Sequence, residues 1–272
     1  LFGVFTFWPL VYNAYLSLTE WDMISPVKIF VGLDNYRETL RDPVFHQVVL
    51  NTFVLMGGSV AMTLALGLAM ALLLNQHLWG RNFARSVLFA PTILSGAAIA
   101  VVWVYIFDPT YGLIRMLMTP FGLASPNWLR DPGWAMLAVI IVYVWKNLGY
   151  ALVIFLAGLQ AIPRELYEAA LVDGAGPWSR FRAVTLPGLS PITFFLMVTS
   201  ILASFQAFDL IQVLTQGGPV NATNTLIYHL YEEGFVAFHA GRAGVVAVVL
   251  FILMLIVTIL QLRYLERRVH YA

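Results

Sequence analysis

The sequence predicts an all-α fold, a polytopic bundle of six membrane-spanning helices, and three observations support this. Of the 272 residues, 60% are apolar and only 11% are charged, whereas a soluble domain has about 25% charged residues. Six windows with little or no charge approach the roughly 20 residues that a helix needs to cross a bilayer. None of these windows alternates strictly between apolar and polar residues, so helices rather than strands are expected to span the membrane.

The predicted spans form a single transmembrane domain that covers residues 1–272. They are 1–18, 53–74, 87–107, 134–159, 189–214 and 243–262. The first window opens without Met, and it has neither a basic region nor a small-residue cleavage site. We therefore interpret it as the remainder of a first span rather than a cleaved signal, and expect the N-terminus to lie upstream.

Arginine and lysine are distributed unequally between the connections on the two sides of the predicted bundle. One set carries eight cations, which are Arg81, Arg85, Arg164, Arg180, Arg182, Arg263, Arg267 and Arg268. The other set is longer and holds nine of the fourteen acidic residues together with Lys28, Arg37, Arg41, Arg115, Arg130 and Arg242. Because short cytoplasmic loops are enriched in Lys and Arg, we expect both termini to lie in the cytoplasm.

Composition excludes several classes of function. The chain has no cysteine, which excludes disulfides, zinc–thiolate sites and thiol nucleophiles, and its net charge of +1 without a basic block predicts no nucleic-acid partner. The five histidines have no metal-ligand spacing, and the sequence contains no phosphate-binding G-x-x-x-x-G-K-[ST] loop. We therefore expect no catalytic residue and no metal site, and any energy from ATP must be supplied by another polypeptide.

The connection 160–187, between the fourth and fifth predicted spans, has the local chemistry of two short helices joined by a glycine hinge. Pro163 suits the first turn of the first helix, and Gly174 can end that helix in the left-handed conformation. Pro177 is expected to begin the second helix and Pro187 to end it. One face is small and largely apolar and suits contact with another protein; it consists of Leu166, Ala169, Ala170 and Asp173. The alternative is a solvated connector between two spans.

The residues of this connection resemble a known protein family. The string Glu-Ala-Ala-Leu-Val-Asp-Gly-Ala at 168–175, followed by Leu186-Pro187, resembles the EAA loop in membrane subunits of binding-protein-dependent ABC importers. Further matches are 30–36, Asn51-Thr52, Pro91, 204–209, 215–219 and 221–271. The matches after residue 200 are similar to the carbohydrate-uptake branch, which includes maltose and glycerol-3-phosphate permeases, and most closely to the glycerol-3-phosphate permeases.

The resemblance implies the type I importer permease fold and an ATPase-coupling role for the loop. The implied coupling residues are Glu168, Ala169, Ala170, Asp173, Gly174 and Ala175. Glu168 would meet the polar surface of the ATP-hydrolysing subunit, and Gly174 would make the turn. The implied partners are a second homologous permease, a dimer of ATP-binding subunits and an extracytoplasmic solute-binding protein, in the inner membrane of the cell. ATP and magnesium would bind the ATPase subunits, and this chain would hold no cofactor.

Two polar groups within predicted spans are candidates for a substrate pathway, because buried polar residues in a membrane normally face a bundle interior. The first is Lys146 with Asn147 and Tyr150, and the second is Asp209 with Gln206 and Gln212. Each group either contacts substrate or forms structural hydrogen bonds, and Lys146 and Asp209 can also pair with each other.

The residues and the resemblance together predict a permease subunit that transports sn-glycerol-3-phosphate or glycerophosphodiesters. The alternatives are a permease for a neutral di- or oligosaccharide, and a secondary transporter or membrane enzyme that uses Lys146 and Asp209. Neither of the last two explains the string at 168–175. Residues 224–238 outside the membrane are expected to form an interfacial helix that either docks a binding protein or anchors in the headgroup region.

Overall fold

The computed structural model describes residues 1–77 and 79–265, and it confirms a predominantly helical chain. The first seven α-helices are α1 (Trp8–Leu16), α2 (Asp34–Arg41), α3 (Pro43–Leu74), α4 (Arg81–Ile93), α5 (Gly96–Ile106), α6 (Leu113–Met118) and α7 (Pro132–Ala161). The next seven are α8 (Arg164–Val172), α9 (Pro177–Arg180), α10 (Leu186–Gly188), α11 (Ser190–Ser204), α12 (Phe208–Leu214), α13 (Leu226–Tyr231) and α14 (Ala240–Leu260).

Shorter elements complete the described part of the chain. Wider π-helical turns cover Gly3–Phe7, Phe181–Thr185, Glu232–Val236 and Gln261–Leu265, and a 3₁₀ turn covers Thr119–Phe121. Two short antiparallel strands, β1 (Thr19–Glu20) and β2 (Ile29–Phe30), pair Thr19 with Phe30 and Glu20 with Ile29. Glu266, Arg267 and Arg268, which contribute to the predicted charge asymmetry, lie outside the described residues.

Three helices of the described residues are long and apolar enough to cross a membrane unaided. They are Pro43–Leu74, Pro132–Ala161 and Ala240–Arg263. Two further candidates are bent pairs, so the described residues contain five candidate spans at most, one fewer than predicted. The difference lies in the first window, where the helical turns Gly3–Phe7 and α1 together are shorter than the roughly 20 residues of a full span.

The predicted span 87–107 is not one straight helix, because the chain bends by 107° between α4 and α5. Pro91 lies in the last turn of α4, where it has no N–H to donate, and Leu94 then adopts an extended conformation. The hydroxyl of Ser95 accepts a hydrogen bond from the Ala98 N–H at 3.3 Å. This bond satisfies a free donor at the start of the next helix, so α5 begins in a new direction.

The predicted span 189–214 is not one uninterrupted helix either, because α11 ends at Ser204 and the chain becomes helical again as α12. The Ser204 hydroxyl donates to the Ile201 carbonyl at 2.7 Å, a local bond of the kind that bends helices. Ala207 then leaves the helical region with ψ 53°. Phe205 is buried at the break and lies edge-on to Phe53, at 6.4 Å between ring centroids.

Pro187 does not end the second loop helix, contrary to the prediction. The chain stays helical from Pro177 to Gly188 and bends by 62° before α11. The π-helical turn Phe181–Thr185 precedes α10, in which Pro187 occupies an early position. A proline is tolerated there because its missing N–H would be unsatisfied in any case.

The chain divides into two compact units. The first contains Leu1–Met56, Ala100–Val139 and Phe205–Ile256. Within it, the Asn51 side-chain amide donates to the carbonyls of Asn221 at 2.7 Å and Asn224 at 3.0 Å. The Thr52 hydroxyl accepts from the Leu226 N–H at 2.9 Å and so caps the start of α13. These buried polar groups join segments about 170 residues apart in sequence.

The prediction of an interfacial helix within 224–238 is wrong for α13, because this helix is buried. Leu226, Tyr228 and His229 are all less than 9% exposed. The ring of Tyr228 stacks on Phe208, with the centroids 6.0 Å apart, and burial raises the pKa of the Tyr228 hydroxyl, with Glu232 adding to the effect. An interfacial helix needs an apolar face directed outward, whereas Leu226 and Tyr228 pack inside the same unit. The segment that follows α13 differs, since Phe235 is 64% exposed.

The second unit contains Gly57–Ile99, Ile140–Ser204 and the described part of Val257–Ala272. Its core is an apolar cluster centred on Ala71, Leu152, Phe155, Leu189 and Leu196. Here α4 crosses α7 at very close range at Gly149. A Cβ atom on this residue would lie 2.2 Å from the Leu88 carbonyl oxygen, so only glycine permits the contact.

Replacing Gly149 with Ala is therefore expected to lower the stability of the solubilised protein by about 1–3 kcal/mol, because the backbones of α4 and α7 must separate. The apparent melting temperature in detergent measures this effect. Gly57 in α3 is a matched control because its Cβ position meets nothing within 4 Å. Gly57→Ala should leave stability unchanged or increase it, and an equal loss in both variants would contradict close packing at Gly149.

Candidate functional site

The predicted helix–glycine–helix arrangement is present in the loop between α7 and α11. The helix α8 begins after Pro163 and ends at Asp173, and Gly174 follows with a positive φ of 74°. The N–H of Gly174 donates to the Leu171 carbonyl at 3.0 Å, and the N–H of Ala175 donates to the Ala170 carbonyl at 2.9 Å. This pair of bonds is a Schellman motif, which satisfies the last carbonyls of the helix and fixes the direction of the turn.

The surface of this loop combines exposed apolar and acidic side chains. Glu168, Ala169 and Asp173 are exposed, and Ala170 and Ala175 are partly buried. Val172 is 88% exposed and Leu171 is 54% exposed. The structure therefore brings the six predicted coupling residues together in one short, largely exposed segment. Apolar side chains beside carboxylates at a tight helix end form a surface suited to contact with a protein partner.

The base of the loop is held by contacts between its two ends. The Tyr167 hydroxyl lies 3.0 Å from the buried Thr185 hydroxyl, which joins α8 to the returning π-helical turn. A Cβ at Gly188 would lie 2.9 Å from the Ile162 side chain, so the chain also packs tightly at the point where the loop leaves and re-enters the helices. The two ends of the loop are therefore held together where they join α7 and α11.

The predicted polar group around Lys146 lies on α7, within the second unit. Lys146 and Asn147 are partly buried and Tyr150 is exposed. The Asn147 side-chain amide donates to the Tyr143 carbonyl of its own helix at 2.8 Å, and the Thr92 hydroxyl donates to the Lys146 carbonyl at 3.0 Å. Among the described residues of this unit, no carboxylate lies within 4 Å of the Lys146 ammonium.

The predicted polar group around Asp209 is only partly on one helix. Asp209 and Gln212 lie three residues apart on α12, whereas Gln206 is an exposed residue in the break that precedes it. One oxygen of Asp209 accepts from the Leu210 N–H at 3.0 Å, and the Oε1 atom of Gln212 is buried without a hydrogen-bond partner among the described residues. Lys146 and Asp209 belong to different units, so the pair between them stays a prediction.

Sequence reasoning missed the anchoring role of Asn51 and Thr52, although it noted them as a family match. It also noted of His229 only the lack of metal-ligand spacing and assigned it no role, whereas this residue is buried, lies against the Phe45 ring and is 3.7 Å from Glu232. Nothing in the local pattern indicates either role, because each depends on segments more than 170 residues distant or on tertiary burial.

The comparisons with known proteins agree with this geometry. Residues 63–271 match the family described as "Binding-protein-dependent transport system inner membrane component". The sn-glycerol-3-phosphate transport system permease protein UgpA of Yersinia pestis is 36% identical over 270 residues, which cover 99% of this chain and 91% of the relative. A probable ABC transporter permease protein of Pyrococcus horikoshii is 36% identical over 237 residues, which cover 86% of this chain and 81% of the relative.

Solved structures show the same fold at lower identity. A chain of a bacterial ABC transporter that imports the acidic polysaccharide alginate has a TM-score of 0.84 at 22% identity, and the match covers 98% of this chain and 91% of that chain. The same type of transporter, in complex with an alginate pentasaccharide-bound periplasmic protein, has a TM-score of 0.82 at 21% identity, covering 96% and 88%. The chain thus belongs to the family of binding-protein-dependent transport system inner membrane components and is an ABC importer permease subunit, not the subunit that hydrolyses ATP.

Proposed function

We propose that the chain forms half of the translocation pathway of an ATP-driven importer for sn-glycerol-3-phosphate or glycerophosphodiesters. The names of relatives that match nearly the whole chain support this substrate class. The coupling part of the proposal is supported by the exposed helix α8. This helix ends in a Schellman motif at Gly174, and the Tyr167–Thr185 contact holds its base.

In the proposed assembly, this chain works with a second homologous permease, two ATP-binding subunits and an extracytoplasmic solute-binding protein. A solute-binding partner is supported by the solved transporter in complex with its periplasmic protein. We place both termini in the cytoplasm on the basis of the charge asymmetry. We also propose that α1 belongs to an N-terminal span, which brings the number of spans in the subunit to six. ATP and magnesium bind the ATPase subunits in this assembly.

The proposed mechanism is a two-state change driven from the cytoplasmic loop. Closure of the ATPase dimer draws the loops of the two permeases together and converts the inward-open pathway to an outward-open one. Glu168 contacts the polar surface of the ATPase, and the small side chains of Ala169 and Ala170 allow close approach. Asp173, Gly174 and Ala175 fix the turn that carries this movement back toward the spans.

The pathway residues in this proposal are the two polar groups of the spans. The Lys146 ammonium on α7 supplies a positive charge for the phosphate, and Asn147 and Tyr150 extend the polar surface around it. Asp209 and Gln212 on α12, preceded by Gln206, accept and donate hydrogen bonds to substrate hydroxyl groups. A lysine without a carboxylate partner among the described residues of its unit supports a substrate role rather than a structural ion pair.

Uptake into vesicles tests this proposal directly. The complete four-component system should accumulate radiolabelled sn-glycerol-3-phosphate only when ATP is supplied to the ATPase side, and an uncoupler should have no effect. Glycerophosphocholine should compete and maltose should not. Uptake that collapses with the uncoupler would indicate a secondary transporter, and uptake of maltose in place of sn-glycerol-3-phosphate would indicate a neutral-sugar permease.

A further inference from the structure

The first unit contains a cavity of about 390 Å³ that no role described above uses. Its walls come from the end of α5, the segment before α7 and the end of α12. Phe107, Leu129 and Leu214 supply apolar surface, and Asp108, Arg130 and Gln216 are among its polar groups. The volume and the mixture of apolar walls with a few polar groups are typical of small-molecule sites, which occupy about 300–1,000 Å³.

Most of the polar side chains of this cavity have unused hydrogen-bonding capacity. Within the part of the chain that the structure describes, the side chains of Thr110, Asn127, Arg130 and Gln216 are exposed to solvent, and they make no hydrogen bond to protein and no ion pair within 4 Å. Asp108 is different, since its Oδ1 atom accepts from the Thr110 N–H at 2.7 Å and from the Tyr111 N–H at 3.0 Å. The cavity therefore presents free donors beside one fixed carboxylate.

Electrostatics set which ligands this cavity accepts. The N–H groups of Tyr111 and Thr110, and to a smaller extent the nearby Arg130, lower the pKa of Asp108, so the carboxylate is ionised at neutral pH. The Arg130 guanidinium supplies one positive charge with the planar geometry that suits phosphate. Asp108 repels further negative charge, so a ligand with one phosphate group beside Arg130 is favoured over one with several anionic groups.

Gln216, one of the residues that line this cavity, lies two residues beyond the end of α12. Gln216 has a positive φ of 50°, which is uncommon for a residue other than glycine, and its N–H donates to the Ile211 carbonyl at 2.8 Å. It follows the end of α12, the helix that carries Asp209 and Gln212. Asp209 and Gln212 lie within α12, and Gln212 has a buried side-chain oxygen without a hydrogen-bond partner among the described residues, whereas Gln216 lies in the turn beyond the helix.

We propose that this cavity is an extracytoplasmic reception site, where a small polyol with one anionic group binds after its release from the binding protein and before it enters the spans. Arg130 binds the anionic group, and Thr110, Asn127 and Gln216 bind the hydroxyl groups. Asp108 accepts a hydrogen bond from a hydroxyl group of the ligand. Its negative charge repels the anionic group and so keeps the affinity low enough for the ligand to leave the site. The transport role of the site rests on the proposed function, whereas the binding itself is tested independently of transport.

Direct binding to the assembled transporter in nanodiscs, with the binding protein omitted, tests this inference. Saturation-transfer NMR with sn-glycerol-3-phosphate as the probe should show weak binding to the wild type. Removing a charge-assisted bond in Arg130→Gln should weaken that binding about tenfold, and Asn127→Ala should weaken it less. The matched control is Arg41→Gln, which removes an exposed arginine of α2 that does not line the cavity. This control should bind the probe as the wild type does.

Equal binding in the wild type and Arg130→Gln, or no binding to the wild type, would overturn the reception site. Uptake assays on the same preparations distinguish this failure from failure of the proposed function. Normal ATP-dependent uptake without binding in the cavity would refute the site and leave the proposed function intact. Arg130-dependent binding without ATP-dependent uptake would support the site and contradict the proposed function.

Discussion

Replacing Gly174 with Asp should abolish substrate uptake while leaving the permease inserted and assembled. Gly174 has a φ of 74°, and its Cβ position meets no atom within 4 Å. An L-residue in this conformation costs roughly 1–2 kcal/mol, which is enough to loosen the Schellman turn without disturbing the core. The added carboxylate also lies on the exposed surface where we propose that the ATPase binds. ATP hydrolysis should then continue while uptake falls to less than about one tenth.

Gly176 provides a matched control for this variant. It lies two residues further on, has a negative φ of −69° and precedes α9 as its N-cap residue, a position that favours Asp. Gly176→Asp introduces the same charge without the strain, so it should retain most of the uptake. The ratio of ATP hydrolysed to substrate transported is the quantity to measure. Normal coupling in Gly174→Asp, or equal uncoupling in both variants, would contradict the assigned role of the turn.

Lys146→Ala and Asp209→Asn should each lower transport about tenfold, because each removes a charged hydrogen-bonding group from the proposed pathway. Neither change should reduce the yield of assembled complex. Lys146 has no carboxylate within 4 Å among the described residues of its unit, and Asp209 accepts a hydrogen bond from the Leu210 N–H of its own helix. Initial rates of sn-glycerol-3-phosphate uptake, divided by the amount of complex, measure the effect.

The control for the lysine variant is Lys28→Ala, which removes the one other lysine of the sequence. Lys28 lies over the rings of Tyr12 and Trp21, at 4.9 and 4.3 Å from their centroids, and is outside the predicted spans. Its loss should leave transport unchanged. If Lys146→Ala or Asp209→Asn lowered the complex yield as much as the transport rate, the residues would be structural.

Features that depend on local chemistry could be predicted from the sequence. The start of α9 at Pro177 and the left-handed turn at Gly174 follow from the conformational preferences of proline and glycine within a few residues. The position of α7 is close to the predicted fourth window for a similar reason, since a long apolar run without an internal proline forms one helix. The helix–glycine–helix geometry of the segment 168–175 is confirmed, because it is determined within a single stretch of chain, whereas its coupling role stays a prediction.

Features that depend on distant residues could not be predicted. A hydropathy window does not detect a bend, so 87–107 and 189–214 each read as one span although Pro91 and Ser204 mark the ends of shorter helices. The helix α13 has an amphipathic pattern that suits a membrane surface, but a cap from Thr52 and ring stacking with Phe208 bury it. The cavity beside Arg130 is assembled from three separate segments, none of which is distinctive alone.

The central claim is that the segment 168–175 contacts the ATPase subunit, and cross-linking tests it most directly. The chain has no cysteine, so an Ala169→Cys variant carries a single thiol at an exposed position of α8. After labelling with a benzophenone maleimide and irradiation of the assembled transporter, we expect an adduct with the ATPase subunit. A Ser25→Cys control, in the connection between β1 and β2, should yield no such adduct. A transport-competent Ala169→Cys complex without an ATPase adduct would contradict the account.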